Sequence, residues 1–209
     1  MQVFMEKKGR EQQREETRER VYQAALRVFE RDGFAECRID DIAKEAKVVR
    51  GTFYFHFPTK DDVLQELLDR SQRGVAASLS LLSDDAPLRS VLTALCAALA
   101  AAWVESPKLF PEVAVIGLRM ASKGPYDVSN TLRGALAQRF ELAASRGELK
   151  QEVPAALLGD LFLINLFAAM LAWSNFPGLP LEEMLRQVGN LFMQGAAARI
   201  TMPRGEILF

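Results

Sequence analysis

Residues 50–57, RGTFYFHF, put an arginine, a threonine, a tyrosine and the chain's one histidine among three phenylalanines. Coiled as a short helix, the segment carries Phe53 and Phe57 four apart on one face, while Gly51, Thr52, Phe55 and His56 fall on others and Tyr54 stands at the flank. One face anchors the helix and the other is left for a partner, which is the layout of a recognition helix. Enzymatic chemistry finds no footing. The histidine is committed here, and Cys37 and Cys96 lie in different segments with no CxxC or metal-like spacing. No nucleophile and base pair, metal cluster or phosphate-binding loop can be assembled, so neither a cofactor nor a metal is expected.

The flanking sequence must hold that segment in place. Pro58 stops it, and Thr59 followed three residues later by Asp62 is a capping-box start for the next helix, with acids in its first turn where the dipole favours them. Upstream, Val21, Ala25, Val28 and Phe29 recur at helical offsets until Gly33 ends the pattern. Ile39, Ile42, Ala43 and Ala46 then mark a helix of barely two turns. The result is a helix-turn-helix. Helices this short are marginal alone, so Val21, Ala25, Val28, Phe29, Ile39, Ile42, Phe53 and Phe57 are expected to share a small core.

Net charge is −1 over 209 residues and does not by itself suggest nucleic acid, but its distribution does more. Between positions 44 and 60 stand four bases (Lys44, Lys47, Arg50, Lys60) against one acid (Glu45), a local +3. Residues 1–14 form a charged leader without apolar period, expected to be mobile.

Beyond position 58 the chain reads as helices separated by punctuation. A fourth helix runs from Thr59 past Arg73, with Gly74 as a possible bend and Val75, Leu79 and Leu82 continuing the pattern. Asp84, Asp85 and Pro87 open a fifth to about Glu105; Ser106 and Pro107 supply an N-cap and first-turn proline for a sixth, closed by Lys123, Gly124 and Pro125. A seventh spans 126–146 and ends at Gly147. Pro154 opens an unusually apolar eighth reaching Phe176, and a ninth carries Leu181, Met184, Leu185, Val188, Leu191 and Phe192. Nine helices and no strand pattern give an all-α fold. The eighth is apolar nearly all round and so expects cover on more than one side. With the ninth it forms half of an intermolecular four-helix bundle completed by a homodimer, or else the buried core of a monomer. Its most apolar run, 161–173, is too short to cross a bilayer. With no apolar leader segment and two unpaired cysteines, a cytoplasmic protein is expected.

Residues 24–64, AALRVFERDGFAECRIDDIAKEAKVVRGTFYFHFPTKDDVL, resemble the DNA-binding domain of the TetR/AcrR family of bacterial transcriptional regulators. Ala25, Phe29, Gly33, Phe34, Ile42, Ala43, Ala46, Val48, Gly51, Thr52, Tyr54, His56, Phe57, Lys60 and Leu64 stand in that family's pattern. The resemblance implies that Arg50, Thr52, Tyr54 and His56 touch double-stranded DNA, with Gly51 allowing close approach and Lys60 on phosphate. The chemistry agrees: arginine reaches a guanine edge or phosphate, threonine a phosphate or thymine methyl, and tyrosine and histidine donate to phosphate. The alternative for Tyr54 and His56 is that they cap the small core. Departures stand at Cys37 and Arg38, where the family usually has a threonine pair, and at Lys47 and Val49, where it has glycine and a hydroxyl cap. Arg38 and Lys47 join the candidate DNA contacts, and Lys47 is expected at positive φ.

The organisation implied is a leader (1–14), a helix-turn-helix domain (15–58), a connecting helix (59–83) and an effector-binding and dimerisation domain (84–209). Such a regulator, a homodimer on a palindromic operator, needs a small-molecule site, for which Trp103, Phe110, Phe140, Phe162, Phe167, Met170 and Trp173 are candidate apolar lining and Arg119, Asp160 and Asn165 candidate polar handles. Asp160 and Asn165 sit on an otherwise apolar helix and must find partners, in a pocket or at the dimer seam. A helical carrier of small apolar molecules, without DNA binding, is the alternative function.

Overall fold

The computed structural model describes residues 2–121, 132–149, 153–175 and 178–197, and among them all regular structure is helical. Nine helices run in order: α1 (Gln2–Asp32), α2 (Ile39–Glu45), α3 (Arg50–His56), α4 (Lys60–Ser80), α5 (Leu88–Trp103), α6 (Phe110–Ala121), α7 (Leu132–Ser145), α8 (Ala155–Asn175) and α9 (Leu181–Ala197). They fall into two compact units, one of residues 1–72 with 105–126, the other of residues 73–104 with 127–209. Residues 105–126 thus group with the N-terminal helices, although the sequence placed them in a C-terminal domain. The expected close of the sixth helix at Lys123, Gly124 and Pro125 lies outside the described residues.

In the first unit α1, α2 and α3 pack together around Val21, Ala25, Val28, Phe29, Ile42, Phe53 and Phe57, all essentially without solvent contact. Ile39, also expected there, is only half-buried. The presumed leader is part of α1. Residues 2–14 are rich in Gln, Glu, Lys and Arg, good helix formers that extend a helix nucleated by the apolar turns beyond it, and Gln12 supports the extension by donating to Glu16 at 3.2 Å.

Local chemistry explains how the short helices end. Gly33 (φ 87°) closes α1, its N–H on the Phe29 carbonyl at 2.9 Å. After α2, Lys47 takes φ 55°, its N–H bonds the Lys44 carbonyl (3.1 Å), and the Val48 N–H reaches back to Ala43 (2.9 Å). That is a Schellman closure with lysine in the left-handed position glycine normally fills. Lys47→Gly is therefore expected to stabilise the fold by about 1 kcal/mol, read as a higher midpoint in thermal denaturation. Neither Arg38 nor Val49 caps its helix with a side chain, as the sequence led one to expect. α4 by contrast opens on the capping box: the Thr59 N–H donates to Asp62 Oδ2 (2.7 Å) and the Asp62 N–H to Thr59 Oγ1 (3.3 Å).

A charge cluster ties α1 to α4 within this unit. Glu66 accepts from Arg18 (2.7 Å) and Arg70 (2.9 Å), Arg70 also pairs with Glu19 (2.7 Å), and the two guanidiniums lie over the rings of Phe57 (4.5 Å) and Tyr22 (4.1 Å). Burial alone would raise the Glu66 carboxyl, but the hydrogen bonds from Arg18 and Arg70 outweigh it and hold the group below its ordinary range. Glu66→Ala leaves Arg18 without its carboxylate and Arg70 with Glu19 alone, and is expected to cost about 2 kcal/mol. A depressed carboxylate stabilises above its unfolded pKa and loses that contribution as pH falls through the lower folded value. The wild-type advantage over the variant in urea melts should accordingly be full at neutral pH and shrink below about pH 4.5.

α6 begins at Phe110, a turn later than Ser106 and Pro107 suggested. The Leu109 N–H first closes on the Ser106 carbonyl (3.2 Å), and the helical ladder starts only with Val113 on Leu109 (3.0 Å).

In the second unit α7 packs on α8, α5 on α9 and α8 on α9. Phe140, Phe162 and Phe192 form its aromatic centre, with ring centroids 4.9–6.4 Å apart. Arg139 of α7 is buried and donates to the carbonyls of Leu79 (2.8 Å) in the last turn of α4 and of Leu82 (2.7 Å) and Ser83 (2.8 Å) just past it, so a cation caps the end of α4. Glu148 meets the Leu88 N–H at the start of α5 (2.7 Å). Both cysteines are free and buried, and burial pushes the Cys96 thiol up to about 11.

α8 corrects one expectation. At 21 residues it is long and apolar enough, by length and composition, to cross a membrane. Among the described residues it is covered on one side: Ala155, Gly159, Phe162, Leu166, Met170 and Trp173 are buried, while Leu157, Leu161 and Ile164 lie exposed, as does Leu191 of α9.

Candidate nucleic-acid interface

Phe53 and Phe57 root α3 in the core, their rings 6.1 Å apart, and every other side chain of the helix retains solvent contact. Arg50, Gly51, Tyr54 and Phe55 are exposed; Thr52 and His56 are half-buried. The Tyr54 ring packs edge-on against buried Phe53 (5.6 Å), and the residue is 43% exposed. Arg50 is held ready by neighbours: its guanidinium donates to Asp40 of α2 (3.2 Å) and to the Tyr54 hydroxyl (3.2 Å) and lies 5.6 Å over the Tyr54 ring. Both members of the Arg50–Asp40 pair are well solvated, so the pair orients the fork at little energetic cost to its release. A Cβ built on Gly51 would meet nothing within 4 Å. Internal packing thus makes no demand for glycine there, and what the missing side chain leaves is open backbone facing outward.

His56 sits deeper. Its Nδ1 is buried without a hydrogen-bond partner, and burial, then the charges of Arg14 and Arg18, lower its pKa, so the imidazole is neutral at pH 7. Arg38 and Lys47 are exposed at the start and just past the end of α2. Lys60 has a different employment from the phosphate contact expected of it. Its ammonium donates to the carbonyls of Phe34 (2.7 Å), Ala35 (3.3 Å) and Cys37 (2.9 Å) and stands 4.9 Å over the Phe34 ring. Three carbonyls use all three donors of an ammonium, and the residue serves as a clamp on the α1–α2 loop.

Two residues of this face were not picked out from the sequence. Phe55 is 66% exposed on α3, and Arg14 of α1 lies 5.2 Å over its ring. Phe55 carried a readable signal, since it stands off the Phe53 and Phe57 face; Arg14 carried none, because only the tertiary packing of α1 brings it there.

The candidate effector residues do not form one set. Trp103, Phe140, Phe162, Met170 and Trp173 are buried within the second unit, where Phe167 is half-buried. Phe110 is buried in the first unit, and Arg119 is exposed there, 3.6 Å from Asp61. Asp160 meets Arg133 of α7 at 2.6 Å. Asn165 is no interior handle: it is exposed on the uncovered side of α8 and donates to the Leu161 carbonyl of its own helix (2.7 Å). Trp173 Nε1–H is satisfied by the Leu179 carbonyl (3.0 Å).

Residues 21–67, the segment that builds this interface, match the family model described as bacterial regulatory proteins, tetR family. That segment is a TetR-family domain. Its helix-turn-helix segment is 47% identical over 58 residues to the HTH-type transcriptional regulator SrpR of Pseudomonas putida and 36% identical over 64 residues to AcrR of Shigella flexneri. These alignments cover 28% and 31% of this chain and only 27% and 30% of the two relatives, so the likeness in sequence is that of the N-terminal segment. Structural likeness reaches further. FadR of Thermus thermophilus, a TetR-family repressor solved in complex with lauroyl-CoA, matches with a TM-score of 0.62 and 26% identity over 90% of this chain and 100% of its own. FadR from Bacillus halodurans shares the fold at a TM-score of 0.68 and 18% identity, over 86% and 95% of the two chains. The matched segment closes α2 on a left-handed lysine and starts α2 and α3 without side-chain caps.

Proposed function

We propose that this chain is a ligand-responsive, sequence-specific DNA-binding transcriptional regulator, a repressor released from a palindromic operator by a small, mainly apolar effector. The observation that carries it is α3: rooted by Phe53 and Phe57, it presents Arg50, Gly51, Thr52 and Tyr54 outward, with Arg50 already aligned by Asp40 and Tyr54. Arg50 is the candidate for a guanine edge, Thr52 and Tyr54 for phosphate, and Arg38 and Lys47 for the flanking backbone. A C2 dimer would set two such helices in successive major grooves, about 34 Å apart or a multiple of that. The exposed Leu157, Leu161, Ile164 and Leu191 support a second copy as cover for α8 and α9. DNA as partner supports a cytoplasmic location.

For the effector, the support is the lauroyl-CoA bound by the Thermus relative and the apolar interior of the second unit. An effector that favours a differently spaced dimer lowers DNA affinity by its differential affinity and no more, and α4, which is one helix from Lys60 to Ser80, is the candidate lever. Selection of bound duplexes from a random pool tests the reading. A palindromic consensus is the expected result, and adding lauroyl-CoA, but not CoA alone, should release the selected duplex. A pool that shows no enrichment would overturn it.

A further inference from the structure

Arg10, Arg14 and Arg18 recur every four residues and share one face of α1. Arg18 is spent on Glu66 and the Phe57 ring. One turn toward the N-terminus, Arg14 lies over Phe55, whose ring is exposed on the recognition helix beside Tyr54; both Arg14 and Arg10 are exposed, and among the described residues neither makes an ion pair. Of the acids of this stretch, Glu19 holds Arg70 and Glu16 accepts from Gln12, while Glu15 acts at longer range on Arg18 and His56. The line of arginines therefore climbs α1 along the side that faces α3 and continues beyond it.

An apolar ring left in water with a cation over it is a support as much as a liability. Stacking orients the planar guanidinium by one face while its N–H fork stays free, the geometry that suits phosphate. A rise of about 6 Å per four residues sets Arg10 a turn farther out, close to the roughly 7 Å between successive phosphates of a strand.

We propose that Arg14, laid on the Phe55 ring, and Arg10 one turn before it form a second phosphate-binding element, which grips the DNA backbone beside the groove entered by α3. The inference rests on the DNA-binding reading. It makes Phe55 a positioning residue and extends each protomer's footprint by about two phosphates.

The test uses the full chain and two probes, the selected operator duplex and a random-sequence duplex of 30 base pairs, titrated across about 50 to 200 mM salt. For Arg10→Ala/Arg14→Ala, the slope of log affinity against log salt should become shallower by about 2 per bound chain, on both probes alike, because phosphate carries no sequence. Affinity at the lowest salt should fall at least about tenfold, with helical content and melting temperature unchanged. Phe55→Ala should lose part of the Arg14 contribution and add little when combined with Arg14→Gln. If wild-type binds while slope and affinity survive both the double substitution and Arg14→Gln alone, the second element does not exist. A wild-type chain that binds neither probe would overturn the DNA-binding reading itself, and this inference with it.

Discussion

Replacing Ile164 with arginine should yield a folded chain that stays single in solution and loses about two to four orders of magnitude of affinity for its operator. Ile164 is 62% exposed at the middle of α8, between Leu157 and Leu161 on one side and Ala168 on the other. A charge placed there costs the isolated fold little, since surface substitutions away from special features stay within about 0.5 kcal/mol. Against a second α8, the same charge would be buried unpaired, which no dimer of ordinary affinity survives. The loss of DNA affinity then follows without any contact to DNA being touched. Two linked half-site readers bind as a unit, and a single one forfeits the effective concentration its partner supplied. Sedimentation equilibrium together with duplex titration checks both parts. A variant that remains dimeric would move the seam elsewhere, and a monomeric variant with undiminished affinity would detach dimerisation from DNA binding.

Arg50→Ala should act at the other end of the mechanism. One bidentate arginine contact to a base discriminates by about 1 to 3 kcal/mol, and a two-fold complex loses it twice, so the operator affinity should fall by about 2 to 6 kcal/mol with a smaller loss on random duplex. Stability should hardly change, because the pair with Asp40 is exposed on both sides. That separation of effects marks recognition apart from structure. Lys60→Met is the informative contrast: with the Phe34, Ala35 and Cys37 carbonyls losing their shared donor, the melting temperature should drop first, and operator affinity only as a consequence.

The contrast between these two lysine and arginine positions shows where a sequence is legible. Arg50 announces itself locally, at the tip of a helix whose other face is fixed by Phe53 and Phe57 at helical spacing. Likewise Gly33 and the Thr59 and Asp62 capping box follow from neighbours within a turn or two, while the left-handed Lys47 was legible only through the resemblance. The phosphate role of Lys60 came from the resemblance alone; the carbonyls it meets lie more than twenty residues upstream, which only the packed loop brings within reach. The same holds for Arg139, whose burial beneath the end of α4 leaves no trace in the pattern of α7, and for Arg14 over Phe55.

α8 was legible in character and not in consequence. Its apolar residues on all sides implied cover beyond one neighbour, yet periodicity could not say whether Asn165 faced a pocket or a seam. Asn165 is exposed beside Leu161 and Ile164. The leader was misjudged for the opposite reason. It lacks apolar period, but a strong run of helix formers joined to a well-packed helix needs none.

Native mass spectrometry of the wild-type chain mixed with its selected duplex at low salt bears most directly on the central claim, that two clasped copies set a pair of α3 helices into one stretch of DNA. The expected spectrum is dominated by a single species of two chains on one duplex, which dissociates as salt is raised. One chain per duplex, or free protein beside free DNA at the lowest salt, would contradict it.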